Sequence, residues 1–267
     1  MRLSKDSQGY AQYLKNVKKD KRKVLLYQIL FLVGFIVLWE VLANFKIIDT
    51  FLFSKPSDIY QLFITYMQNG ELLKHVWVSV YETLLGLIIG TGLGILIAIA
   101  LWWSEKLSRI LDPFLVVLNA LPKTALAPII IVWAGAGITG IVVTAVTISV
   151  VVTILSAYNY FINVDEEKVK MLKSFGASKS QILFKLIIPS NIGNLINLTK
   201  INIGMAWVGV IVGEFLVSRA GIGYLIVYGS QVFKLDLVMM GVFVLAFCAW
   251  VMYEILNIIE KIYNSRK

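Results

Sequence analysis

The sequence contains few of the residues on which redox, metal or hydrolytic chemistry depends. One of its 267 residues is cysteine and one is histidine, which excludes an intrachain disulfide and a cysteine-based metal cluster. It has no Gly-x-x-x-x-Gly-Lys-Ser/Thr segment, the motif that cradles nucleotide phosphates. We find no paired carboxylates and no nucleophile beside a base. The sequence therefore predicts a protein that is not an enzyme and binds no metal or cofactor itself.

Charged residues are also scarce. They make up 15% of the chain, while 58% of the residues are hydrophobic, against about 25% and 45–50% in soluble domains. A single soluble domain of this length needs more polar residues to cover its surface. The excess of apolar side chains must therefore face lipid.

Six apolar segments are long enough to cross a bilayer, which takes about 20 helical residues. We therefore predict an all-α integral membrane protein with spans at 24–45, 76–103, 111–133, 138–162, 186–217 and 237–259.

The distribution of basic residues predicts the orientation of these spans. With the N-terminus inside, 18 of the 25 lysines and arginines fall in inner segments and five in outer ones, and short basic loops stay on the cytoplasmic side. Both termini are thus predicted to be cytoplasmic. The net charge of +9 needs no nucleic acid to explain it. The basic tail, residues 1–23, is predicted to be cytoplasmic, and its basic residues include Arg2 and Lys5. At the other end of the chain, Arg266 and Lys267 are counted among the inner residues.

Four small residues follow one another at four-residue spacing in the second span: Gly86, Gly90, Gly94 and Ala98. This spacing places them on one helix face, where another helix can approach closely. His75 precedes this span, and with no second ligand nearby we expect it to be a solvated interfacial residue.

The third span contains Pro122, Lys123 and Pro128 in its interior, with Asn119 just before them. Proline disturbs a helix, and a lysine at mid-membrane costs about 2.5–3.5 kcal/mol. Two interpretations stay open: a segment that lines or gates the transport route, or a kinked helix whose lysine is held by backbone carbonyls.

The fifth span carries Lys200, Trp207 and Glu214 at seven-residue spacing, on roughly one face. Lys200 and Glu214 are about 21 Å apart along a helix, so each needs its own partner or water. Ionisable residues inside a membrane usually have a functional role, which makes this helix a candidate for the translocation path. The alternative is that its first half lies at the membrane interface.

The inner loop 163–189 contains signals for two short helices. Asn163 with Glu166 and Ser178 with Gln181 have capping-box spacing, and Gly176 is a natural helix stop between them. Phe175 is left at the corner. An apolar side chain on a charged turn predicts a docking surface for another protein, although a loop packed on its own helices would look similar.

The same loop resembles the EAA loop of permease subunits in binding-protein-dependent ABC importers. In that pattern a glycine is followed thirteen positions later by a proline, as Gly176 and Pro189 are, with aliphatic residues such as Leu186 and Ile188 shortly before it. The segments 121–129 and 213–223 resemble the nitrate, sulfonate and taurine branch of the family. The resemblance covers about residues 56–262.

This resemblance implies a type I ABC importer permease fold in a bacterial plasma membrane. It implies a second permease copy, two ATP-binding subunits that hold ATP and Mg²⁺, and an extracellular solute-binding protein. The expected segments are the tail 1–23, the first span with its outer segment 24–75, and a five-helix core 76–262. The residues expected to contact the ATP-binding subunit are Lys170, Leu172, Ser174, Phe175, Gly176, Ala177, Ser178, Lys179 and Pro189.

Lys170 departs from the family, which usually has a glutamate at this position, and Glu166 or Glu167 one turn earlier is a possible substitute. For the path, we predict Asn119, Pro122, Lys123, Lys200, Trp207 and Glu214. The expected cargo is a small solute such as a sulfonate, nitrate or related anion, or a vitamin precursor. An ion-coupled secondary transporter that uses Lys123, Lys200 or Glu214 is the alternative.

Overall fold

The computed structural model describes residues 8–265, and in this part of the chain the regular elements are all helices. They are α1 Gln8–Asn44, α2 Thr50–Phe53, α3 Pro56–Gln68, α4 Glu71–Trp103, α5 Glu105–Ala120, α6 Ala127–Ala134, α7 Ile138–Ile162, α8 Glu166–Ser174, α9 Lys179–Ile182, α10 Ile188–Val217, α11 Ile222–Gln231 and α12 Leu235–Ser265. A 3-10 turn, Lys123–Leu126, precedes α6, and a π turn, Leu183–Ile187, precedes α10.

The predicted all-α membrane class is confirmed. Within residues 8–265, five helical segments are long and apolar enough to cross a membrane, and α5 with α6 makes a sixth if the bent pair is one span. The fourth predicted span coincides with α7, whereas α1 and α12 extend beyond their apolar runs because lysine and glutamate are good helix formers. Arg2, Lys5, Arg266 and Lys267 lie outside the described residues. The orientation of the termini stays a prediction.

Two compact units divide the chain, Met1–Leu62 and Phe63–Lys267. The expected division into 1–23, 24–75 and 76–262 stays a prediction. In the first unit the Glu40 carboxylate accepts hydrogen bonds from the Ser57 N–H (3.1 Å) and hydroxyl (2.9 Å). The first N–H groups of a helix have no partner within it, so Glu40 of α1 caps α3.

The core of the second unit is the packing of α4 and α10 on α7. The predicted close approach of a helix to the glycine stripe of α4 is confirmed. A Cβ atom placed on Gly90 would lie 2.3 Å from Ser149 Oγ, and one on Gly94 would lie 2.4 Å from Thr153 Cβ. Helix α7 therefore packs so closely on α4 that only glycine fits at these positions of α4.

A buried amide joins these three helices at one point. Asn202 of α10 donates its Nδ2 hydrogens to Thr91 Oγ1 of α4 (2.9 Å) and to Thr153 Oγ1 of α7 (2.8 Å). All three side chains are buried. Because lipid offers no competing donors or acceptors, such bonds help to fix how the helices pack.

Candidate functional site

The loop between α7 and α10 forms the two short helices that the sequence predicts. Ser178 and Gln181 make a reciprocal capping box at the start of α9, as predicted. The predicted capping box at Asn163 is wrong, because Asp165 caps α8 by accepting the Glu167 N–H. Asn163 instead donates its side-chain amide to the Asn159 carbonyl. An aspartate one residue before the helix reaches those N–H groups more directly.

The turn between α8 and α9 presents Phe175 to solvent. Gly176 has a φ of +76°, a conformation that glycine adopts without steric cost. Its N–H bonds to the Lys173 carbonyl, and the Ala177 N–H bonds to the Leu172 carbonyl, which closes α8 as a glycine C-cap does. The Phe175 side chain is 81% exposed.

The opposite side of this helix pair is fixed to the membrane helices. Leu172 packs on a buried cluster that includes Phe161 of α7 and Ile182. Lys179 donates to the Trp103 carbonyl at 2.6 Å, at the C-terminal end of α4, and lies over the Trp102 ring. A cation is favoured there because the last carbonyls of a helix carry partial negative charge. The helix pair is therefore attached to α4 and α7.

The remaining predicted coupling residues have local partners. Lys170 pairs with Glu166 at 3.1 Å on the exposed face of α8, and such a surface pair contributes at most about 1 kcal/mol. Ser174 donates to the Lys170 carbonyl. Pro189 comes just after the π turn Leu183–Ile187 within the continuous helical segment Lys179–Val217, and such a local irregularity is typical where proline removes an N–H from a helix. The contact of these residues with an ATP-binding subunit stays a prediction.

The third predicted span is broken at its prolines. The helix containing Asn119 and the following segment from Lys123 meet at 87°, and Pro122 lies between them. Lys123 Nζ donates to the Asn119 carbonyl oxygen (3.1 Å) and contacts its side-chain oxygen (3.4 Å). The lysine thus binds the free carbonyl end of α5, as one of the two interpretations expected.

The break also borders a groove of about 470 Å³. Lys123 and Thr124 lie on one side of it, and Ile148 of α7 and Gly204 of α10 contribute to the rest. The other predicted path residues on α10, Lys200, Trp207 and Glu214, are not among the residues that line it. The assignment of all six residues to the path stays a prediction.

Lys200 has a partner of its own, as its distance from Glu214 along α10 requires. Its ammonium group pairs with the Glu260 carboxylate of α12 and lies 5.4 Å from the centre of the Tyr253 ring. The Lys200 side chain is 8% exposed. The pair neutralises a charge that would be costly in the membrane and links α10 to α12.

We expect Glu260→Gln to destabilise the protein by about 2 kcal/mol, because it leaves a buried ammonium without its counter-charge. Thermal unfolding of the purified chain in detergent measures this loss. The double variant Lys200→Met with Glu260→Gln should recover most of it, since no charge is then left unpaired. Glu105→Gln, in an exposed pair with Arg109, is the matched control with little expected effect. A double variant no more stable than the single one would contradict the pairing.

The side chain of Glu214, a residue of α10, is buried against the start of α11. Its Oε1 accepts from the Ser79 hydroxyl and its Oε2 from the Gly223 N–H, both at 2.5 Å. A Cβ atom on Gly221 would lie 2.3 Å from the Glu214 carboxylate. Trp207, seven residues before Glu214 on α10, is also buried.

Helix α4 completes the cap of α11, and here two sequence predictions are wrong. The Ile222 N–H donates to Ser79 Oγ (2.7 Å) and the Gly221 N–H to His75 Nδ1 (2.9 Å), so His75 is not a free interfacial residue. Glu82 is hydrogen-bonded to Glu214, although no paired carboxylates are expected from the sequence. The spacing of His75, Ser79 and Glu82 was the available sequence signal, because it places these three residues on one face of α4.

The long membrane helices, the broken span and the exposed helix pair together make up the fold of type I ABC importer permeases. The fold is shared with a chain of a bacterial alginate ABC transporter solved in complex with a periplasmic protein, at a TM-score of 0.62 and 14% identity over 90% of this chain and 95% of that one.

The chain belongs to the family of binding-protein-dependent transport system inner membrane components, whose model matches residues 90–267. Its relatives include a putative aliphatic sulfonates transport permease, SsuC, of Bacillus subtilis (25% identical, 85% of this chain and 82% of the relative). Another is the formylaminopyrimidine transport permease ThiX of Halalkalibacterium halodurans (27% identical, 73% and 77%). The protein is therefore a multi-pass plasma-membrane permease subunit, and the resemblance drawn from the sequence is confirmed.

Proposed function

We propose that two copies of this chain form the translocation path of an importer, and that one ATP-binding subunit contacts the α8–α9 turn of each copy. The observation that carries the proposal is the exposed Phe175 on a turn whose other side is attached to α4 and α7. A force applied at Phe175 would pass through Leu172 and Lys179 to the membrane helices. ATP and Mg²⁺ are held by the partner, and this chain supplies no group to hydrolysis.

The proposed cargo is a small anion of the sulfonate class, delivered by an extracellular binding protein. The similarity to the sulfonate permease supports this class, and Lys123 places a cation at the rim of the groove beside the broken span. Uptake of a radiolabelled alkanesulfonate, in competition with unlabelled sulfonate or formylaminopyrimidine, tests it. Competition by the pyrimidine alone would contradict the proposal.

We expect Phe175→Asp to reduce capture of the ATP-binding subunit by tenfold or more, because it places a carboxylate where an apolar side chain would be buried. Co-purification of the co-expressed subunits, followed by ATP-driven uptake in proteoliposomes, measures both consequences.

Phe45→Asp is the matched control, since Phe45 is a similarly exposed phenylalanine (75%) in the turn after α1. It should leave capture unchanged. Equal capture by the Phe175 variant and wild type, with the variant correctly folded, would contradict the proposed contact.

A further inference from the structure

The Glu82 and Glu214 carboxyl groups form a buried pair between α4 and the start of α11. Both side chains are 1% exposed, and they are hydrogen-bonded to each other. Among the described residues, no lysine or arginine forms an ion pair with either of them. Arg219, in the turn after α10, is exposed.

The hydrogen-bond donors around the pair are divided unequally. Glu214 receives the Ser79 hydroxyl and the N–H groups of Gly223 and Tyr224. The buried Oε2 of Glu82 receives no bond from an amide, hydroxyl or cationic donor in the described part of the chain. An ionised carboxylate needs such donors when it is removed from water. These surroundings therefore favour an ionised Glu214 and a neutral Glu82.

The other groups that face the pair supply no compensating charge. On α4, His75 accepts the Gly221 N–H through Nδ1, so that nitrogen carries no proton. On α11, the Tyr224 ring stacks on the His75 ring with centroids 5.7 Å apart. Two ionised carboxylates in contact would repel strongly in these dry surroundings.

We propose that Glu82 and Glu214 bind a single proton between them, with Glu82 as the neutral acid that donates to the Glu214 carboxylate. The proton joins α4 to the carboxylate that caps α11. When it is lost, two negative charges face each other, and the attachment of α11 to α4 weakens. The packing of these helices is thus sensitive to pH. The folded form keeps the proton above the pH of about 4 at which an exposed glutamate loses it, so stability falls with rising pH from there until the folded form releases the proton as well.

Thermal unfolding of the full chain in detergent from mildly acidic to alkaline pH tests the proposal. The unfolding temperature of the wild type is expected to fall with rising pH, while that of Glu82→Gln stays nearly constant, because the amide donates to Glu214 and cannot ionise. Glu254→Gln, a partly exposed glutamate of α12, should retain the wild-type pH dependence. An unchanged pH dependence in Glu82→Gln would overturn the proposal.

Infrared spectroscopy of the wild type makes the test independent of whether that variant folds. The carbonyl stretch of a buried carboxylic acid should be present at neutral pH and disappear at alkaline pH. Its absence at neutral pH would overturn the proposal. Recovery of alkaline stability by added Na⁺, K⁺ or Ca²⁺ would also overturn it, because a metal cation and not a proton would then occupy the pair.

Discussion

Glu214→Ala is expected to destabilise the protein by at least about 3 kcal/mol, since three buried donors lose their acceptor at about 1–3 kcal/mol each. Those donors are the Ser79 hydroxyl and the N–H groups of Gly223 and Tyr224. Alanine also leaves a cavity between the start of α11 and α4. The unfolding temperature in detergent and the yield of monodisperse protein measure the effect.

Glu105→Ala is the control for this prediction. Glu105 pairs with Arg109 on the surface, with 79% of its side chain exposed, and such a pair contributes about 0–1 kcal/mol. Similar unfolding temperatures for the Glu214 and Glu105 variants would show that the cap of α11 contributes little to stability.

Gly94→Leu is expected to separate α4 from α7 and to cost about 3 kcal/mol, in the upper range for overpacking. The first added carbon would lie 2.4 Å from Thr153 Cβ and 3.2 Å from the Val150 carbonyl oxygen. Backbone on the facing helix cannot move aside as the end of a flexible side chain can. We expect a large loss of folded protein, measured by size-exclusion chromatography and thermal unfolding.

Gly92→Leu is a matched control on the same helix, because a Cβ atom on Gly92 meets nothing within 4 Å. It makes the same change in helix propensity and hydrophobicity without the collision. If both variants lost equal stability, the cost would come from the glycine replacement itself and not from the contact of α4 with α7.

The coupling loop shows how far local sequence signals reach. Gly176 and the Ser178–Gln181 box act over a few residues, so their spacing predicted two helices and the turn between them. The exposure of Phe175 follows from that turn. The sequence predicts Asn163 and not the true cap, Asp165, because the two capping residues lie two positions apart and the geometry of the preceding chain decides between them.

The charged residues of α10 show where such signals end. The spacing of Lys200 and Glu214 excluded a pair between them but named no other partner. Glu260 lies 60 residues after Lys200 in the sequence, and Ser79 lies 135 residues before Glu214. The helical period shows which residues share one face of a helix, but it does not show which residues of other helices contact that face.

The sequence by itself determined the membrane class, the approximate positions of five long apolar helices and the glycine face of α4. Hydropathy and helical period depend on composition and short spacing, so they can be read without a structure. Only the tertiary structure decided which buried charges meet, because α4, α10, α11 and α12 come together through packing between distant segments. It also revealed the pair of Glu82 and Glu214, which no local pattern in the sequence indicates.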